Sequence, residues 1–206
     1  MDSQKLLNKK YLENDITYTN DGRLLDYKGN SVMMDWEDEI MEEAAKLICR
    51  DGGKILNIGF GLGLIDNHIQ SHKPKEHWII EAHPQVIEKI KSEEWEQKSN
   101  VTCIFDKWQN VVQDLPKFDG IFFDTWREHS IEFHKDMLNL LNPGGKILLF
   151  STPMYDVKNY FKPFGFEVEE HIIKLKNIDP NQKADGTFYW DIERKEYIHQ
   201  LLIKTN

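Results

Sequence analysis

The residues whose types and spacing suit chemistry begin at 58-IGFGLGLIDNHI-69. Gly59, Gly61 and Gly63 alternate with Phe60, Leu62 and Leu64. Glycines so placed let a chain turn sharply and approach a ligand without interference from Cβ. The dinucleotide pattern G-x-G-x-x-G requires glycine at position 64, and Leu64 stands there. Glu81 lies 22 residues beyond Gly59, at the end of 77-HWIIE. A carboxylate at that point can accept both hydroxyls of an adenosine ribose, at about 1.5–3 kcal/mol for each charged hydrogen bond. Asp124 closes a third apolar run, 118-FDGIFFD. A carboxylate directly after such a run is costly to desolvate without a partner, and a cationic substrate would be one.

These groups need a scaffold that brings them together. Apolar runs at 54-KILNI, 77-HWIIE, 101-VTCIF, 118-FDGIFFD and 146-KILLFS read as strands. Helices are expected near 63–71, 84–98, 107–114 and 130–141. Strands apolar throughout are those of a parallel sheet covered on both faces, and this alternation gives a doubly wound α/β sheet. Ligands in such sheets sit beyond the carboxyl ends of the central strands. A further helix near 154–162 precedes 164-FGFEVEEHIIKL and 195-KEYIHQLLIK, two late strands without a helix between them. They suggest an antiparallel pair at one edge, giving a Rossmann-like sheet that is mostly parallel with an antiparallel edge strand. That feature and the glycine pattern favour S-adenosylmethionine over NAD. Ahead of the sheet, a helix is expected over about 35–50, stopped by 51-DGG, with Glu37 and Met41 one turn apart on one face. By spacing alone this is equally an amphipathic helix capped by Asp35. The first 30 residues read as an irregular or short-helical lid. The expected organisation is a single domain over 1–206, with lid and helix in 1–50 and the sheet in 51–206.

Bulk properties narrow the class. The chain has 206 residues and a formal net charge of −9, which argues against nucleic acid as the main partner. Cys49 and Cys103 form no CxxC and read as reduced, with no zinc site. His68 and His72 are one helical turn apart but lack an evident acidic third ligand, so no metal is expected. No apolar run reaches membrane-spanning length and 1-MDSQKLLNKKYLEND has no hydrophobic signal core. The expectation is a cytoplasmic monomer or homodimer. Trp95 and Trp190 read as packing residues, 167-EVEEH as a solvated strand face and 193-ERKE as a turn or exposed edge.

The stretches 32-VMMDWE with Met41, 57-NIGFGLGL, 77-HWIIE, 118-FDGIFFDT and 143-PGG resemble guanidinoacetate N-methyltransferase over roughly residues 30 to 150. A weaker echo occurs in 187-TFYWDI. The resemblance implies S-adenosylmethionine as cofactor and a small guanidino compound as substrate, with a creatine-like product. It places Met33 and Met41 beside the cofactor, Gly59, Phe60, Gly61, Leu62, Gly63 and Leu64 around its methionine half, and Glu81 on the ribose. Ala82 and His83 would lie beside the ribose and Trp108 along the adenine, with Gln109 where the family has an acidic residue. Glu37 and Asp124 match the carboxylates that grip the guanidinium. Thr152 and Pro153 match the segment whose backbone carbonyls meet the substrate amines, although Pro153 stands where threonine is expected. Asp38-Glu39-Ile40 replaces the family's Thr-Pro-Tyr.

These types suit the chemistry. A guanidinium, with a pKa above about 12, is a poor nucleophile until it loses a proton. A carboxylate fork can fix it in line with a sulfonium methyl and take that proton as the C–N bond forms. Asp124 is the expected general base and Glu37 the orienting partner, with the roles exchangeable in a coupled pair. Other readings are a methyltransferase for arginine, free or in a protein, or for another small amine, and a non-catalytic nucleotide-binding regulatory domain. A dehydrogenase is disfavoured by Leu64.

Overall fold

The strand tips decide the architecture, so the sheet comes first. The structure, a computed structural model, describes residues 9–126, 136, 138–150, 157–176 and 196–205. Seven strands form one sheet: β4 (Lys54–Ile58), β5 (Glu76–Glu81), β6 (Val101–Phe105), β7 (Phe118–Phe123), β8 (Leu141–Leu149), β9 (Phe166–Lys174) and β10 (Glu196–Lys204). Their order is β6-β5-β4-β7-β8-β10-β9. The five strands from β6 to β8 pair in parallel. β10 inserts between β8 and β9 and runs antiparallel to both.

Alternate residues of each central strand feed different cores. Ile55, Ile79, Phe122, Leu148 and Leu201 join α2 (Asp38–Ile48), α3 (Leu64–Ser71) and α4 (Pro84–Ser92) on one face. Leu56, Ile80, Ile121, Ile147 and Leu202 meet α5 (Trp108–Val111) and α7 (Val157–Phe161) on the other. This period-2 division of a wholly apolar strand is what two covered faces require. The helix expected near 130–141 lies largely outside the described residues, although 138–140 are helical (α6). The 187-TFYWDI echo and Trp190 also lie outside them.

Two expectations need correction. β8 starts at Leu141, before 142-NPGG, because Leu141 pairs with Phe118 and Lys146 with Gly120. The extra residues form an irregularity in which Pro143 costs no ladder bond. More importantly, the lid is not merely irregular or helical. After a helical stretch over 9–13 (α1), it contains a three-stranded antiparallel sheet of β1 (Thr17–Tyr18), β2 (Arg23–Leu25) and β3 (Ser31–Met34). Met33 is therefore on a strand. Residues 35–37 make a 3-10 turn and α2 starts at Asp38, without a side-chain cap. The Asp35 N–H instead donates to Gly22 O at 2.8 Å.

A buried polar cluster fixes α3 under the glycine loop. Asn57, Asp66 and His77 are each inaccessible to solvent. Asn57 Nδ2 lies 2.9 and 2.8 Å from the Asp66 carboxylate oxygens and 3.0 Å from Gly59 O. His77 Nε2 is 3.0 Å from Asp66 Oδ1, at an angle poor for a hydrogen bond but close enough for electrostatic attraction. Removing the carboxylate leaves the buried Asn57 amide with Gly59 O alone and takes from His77 Nε2 its neighbouring charge. Asp66→Ala is expected to lower unfolding free energy by about 3 kcal/mol, measured by urea denaturation, with a smaller loss for Asp66→Asn.

Candidate active site

The glycine loop works because three strand tips meet there. Gly59 has φ +96°, and a Cβ on it would lie 1.8 Å from Asp124 O. The Gly59 N–H donates to Ile80 O at 2.9 Å, and the Asp124 N–H to Ile58 O at 3.0 Å. Gly61, at φ +56°, passes under Met33 of the lid, whose Sδ would lie 3.0 Å from a Cβ there. Met33 Sδ also accepts the Leu62 N–H at 3.3 Å.

Above these tips lies a solvent-open cleft with about 680 Å³ of empty space. Asp106, Lys107, Trp108 and Gln109 border it after β6. Glu81 and Ala82 follow from β5, Gly59 and Gly61 from β4, and Asp124, Thr125 and Trp126 from β7. Tyr11, Leu12, Val32 and Met33 roof it. The order of the strands across the sheet is thus the order of groups along the cleft.

Glu81 is nearly closed to solvent. Its Oε2 accepts the Phe60 N–H at 2.9 Å, and its Oε1 accepts the N–H groups of Ala82 and His83 at 2.7 Å each. Burial raises its pKa despite these three donors. Asp124 opens into the cleft but lies deep below the surface. Burial, then the charge of Glu81, push its pKa up to about 7. Glu81 and Asp124 therefore face one hollow, with the exposed Asp106 at its border. Lys107 is the single basic residue among the described residues that line it.

The sequence-derived residues divide clearly. Met33, Gly59, Gly61, Glu81, Ala82, Trp108, Gln109 and Asp124 line the cleft. Phe60 contributes its backbone N–H, while its ring packs edge-on against Trp95 at 5.4 Å. Leu62 and Leu64 pack on the core, and Gly63 caps α3 with φ +80°. Met41 is fully buried in the core and does not border the cleft, because α2 turns that face onto the sheet. His83 aims its ring at the lid, 4.7 Å from the Tyr11 ring. Glu37 is 1% exposed and is not among the cleft-lining residues. Thr152 and Pro153 lie outside the described residues. His68 Nε2 pairs with Asp38 Oδ1 at 2.8 Å, an acidic partner that sequence spacing did not reveal.

Glu37 and Asp124 nevertheless act on one neighbour, Tyr197 of β10. That buried phenol stacks on Phe150 at 5.6 Å. Burial, then Asp124 and Glu37, raise its pKa. Sequence reasoning did not find Tyr197, nor the roof residues Tyr11 and Leu12. It also passed over Trp126, which follows β7 and lines the cleft.

The sheet order, antiparallel β10 and the cleft above the glycine loop define a class I methyltransferase fold, whose methyl donor is S-adenosylmethionine. The chain belongs to the guanidinoacetate N-methyltransferase family, whose model matches residues 4–158. It is 37% identical over 213 residues to a Yarrowia lipolytica protein named protein arginine N-methyltransferase 2, covering 91% of this chain and 44% of that protein. The chain spans about half the length of the curated relatives it matches. Among solved structures, spermidine synthase from Thermotoga maritima aligns with a TM-score of 0.64 at 14% identity, covering 92% of this chain and 68% of that one. A precorrin-6y C5,15-methyltransferase from Geobacter metallireducens aligns with a TM-score of 0.59 at 14% identity, covering 85% and 90%.

The residues present fit the donor. Lys107 is the one basic residue beside Glu81, Asp106 and Asp124 among the described lining residues, and a sulfonium carries positive charge. Glu81 would hold the ribose, Trp108 would lie along the adenine, and the loop from Gly59 would take the methionine half.

The raised pKa of Asp124 has a stability consequence of defined sign. The folded pKa, about 7, lies above the unfolded value of 3.8, so ionisation opposes folding. Stability is retained below pH 4 and falls as pH rises from 4 through 7. Asp124→Asn is expected to raise the melting temperature of the ligand-free protein at pH 8, with the gain shrinking to nothing near pH 4. Calorimetric scans across that range measure it.

Proposed function

We propose that this protein methylates a guanidino nitrogen, and that its acceptor is the side chain of arginine rather than guanidinoacetate. The carrying observation is Asp124, a partly exposed carboxylate at the end of the cleft beside the glycine loop, whose pKa is pushed up to about 7. A general base works best with a pKa near the operating pH. A bound guanidinium is the charge this site lacks, and its approach would return Asp124 to the ionised form.

S-adenosylmethionine, when bound, supplies an electrophilic methyl group on a positively charged sulfur. The protein's part is to orient and to take a proton. Asp124 accepts two N–H donors of the guanidinium and fixes its plane. Asp124 would take the N–H proton that the guanidino nitrogen loses on methylation, the bound donor supplying the methyl group and departing as S-adenosylhomocysteine. Glu37 and Tyr197 lie outside the cleft lining, and their part is electrostatic: the carboxylates of Asp124 and Glu37 both act on the Tyr197 phenol. The roof of Tyr11, Leu12, Val32 and Met33 limits competing water.

Arginine is preferred for two reasons. The relatives that align along most of this chain are named for it. Guanidinoacetate also carries a carboxylate, and among the described roof residues no cation faces that end of the cleft. An arginine within a polypeptide has no such group to satisfy. Guanidinoacetate is the second reading, favoured by the family model over 4–158.

The test is a panel of guanidinoacetate, free arginine, arginine-containing peptides and simple amines, incubated with methyl-labelled donor and read by mass spectrometry. Label on arginine is the expected outcome; label only on guanidinoacetate would reverse the choice of acceptor, and label only on simple amines would remove the guanidine reading. Asp124→Asn is expected to lower kcat by roughly 10²–10⁴ while S-adenosylhomocysteine still binds. With wild-type protein, kcat/KM should fall as pH drops through about 7, where Asp124 of the free protein becomes protonated.

A further inference from the structure

Two side chains at the start of α4 fasten the lid, and the reaction derived above uses neither. His83 Nε2 lies 3.2 Å from Tyr11 O and 3.1 Å from Asn14 O. Its Nδ1 accepts the Gln85 N–H at 3.2 Å, so the ring proton sits on Nε2 and points at the two lid carbonyls. Gln85 holds the next part of the same segment. Its Oε1 accepts the Ile16 N–H at 2.7 Å, and its Nε2 donates to Ile16 O at 3.5 Å. One side-chain amide thus satisfies both polar groups of a buried lid residue, as a strand neighbour would. The segment held this way carries Tyr11 and Leu12, which roof the cleft.

The fastening is joined to the ribose end of the cleft. The His83 N–H donates to Glu81 Oε1, and the Ala82 N–H fills the second position on that oxygen. Oε2 receives the Phe60 N–H and keeps one open position. A diol placed there must share Oε1 with His83, so its binding is felt where the lid is tied down.

We propose that His83 and Gln85 are positioning residues for the methyl donor, forming a latch that holds residues 11–16 over the cleft and is coupled through Glu81 to occupancy of the ribose position. The inference rests on the reading of the cleft as the donor site. Lid opening then governs escape of the nucleoside more than the chemical step.

Gln85 is the residue to change, because it lies outside the cleft. Gln85→Ala removes both bonds to Ile16, whereas Gln85→Glu keeps the acceptor for the Ile16 N–H. S-adenosylhomocysteine binding is measured by calorimetry and its release by stopped-flow tryptophan fluorescence. Gln85→Ala is expected to weaken binding about tenfold, equivalent to about 1.4 kcal/mol, mainly through faster release. KM for the donor should rise with kcat within twofold, and Gln85→Glu should recover at least threefold of the loss. Hydrogen exchange at Ile16 should speed up in ligand-free Gln85→Ala. Unchanged affinity and release in Gln85→Ala overturn the latch, as does a fall in kcat with KM intact. If wild-type protein itself fails to bind S-adenosylhomocysteine, the reading of the cleft fails instead.

Discussion

The missing methyl group of Gly59 is the constraint on which the site depends. The backbone carbonyl of Asp124 occupies the space that a Cβ would need. Gly59 donates its N–H to Ile80 O at the end of β5, and Asp124 donates to Ile58 O at the end of β4. Three parallel strands therefore finish within bonding distance of one another. Their last side chains, Glu81 and Asp124, are forced into one hollow. A larger residue would separate the tips, and the electrostatic coupling between the two carboxylates would go with them.

That coupling costs free energy in the ligand-free protein. Glu81 is partly relieved by three backbone donors, which the strand-to-helix turn at 81–83 supplies at no extra ordering cost. No such donors to Asp124 are found among the described residues, and burial with the charge of Glu81 raises its pKa as well. The two acids differ because their surroundings differ: one is solvated by peptide dipoles, the other only by what enters the cleft. A cationic donor and a cationic acceptor would remove the penalty together. Repulsion between the two acids in the ligand-free protein would thus be converted into affinity for cations.

Much of the sheet was legible because its strands are uninterrupted apolar runs ended by glycine or by acid. Lys54–Ile58, Val101–Phe105 and the end of β5 at Glu81 needed only that pattern. The lid sheet was not legible. β1 has two residues, both exposed, and β2 and β3 are too short to show alternation. The turn residues 20-NDG and 28-KGN were the available cue. Side-chain direction was the other gap. Phe60, His83 and Met41 sit where spacing placed them, yet their rings and thioether turn into the core or the lid through packing that no local pattern encodes. Tyr197 was missed because 73 residues separate it from Asp124, and only the antiparallel insertion of β10 brings it to the carboxylates.

The position of β10 has a temporal consequence. It follows β9 in the chain but lies inside the sheet, between β8 and β9. As the polypeptide emerges from a ribosome, the strands from β4 to β8 can assemble while β9 still waits for its only neighbour. Its arrival supplies both the hydrogen-bonding partner for β9 and the phenol of Tyr197. The cleft over β5, β4 and β7 can therefore take shape early in synthesis, whereas the phenol of Tyr197 joins the surroundings of Asp124 only after β10 has been made.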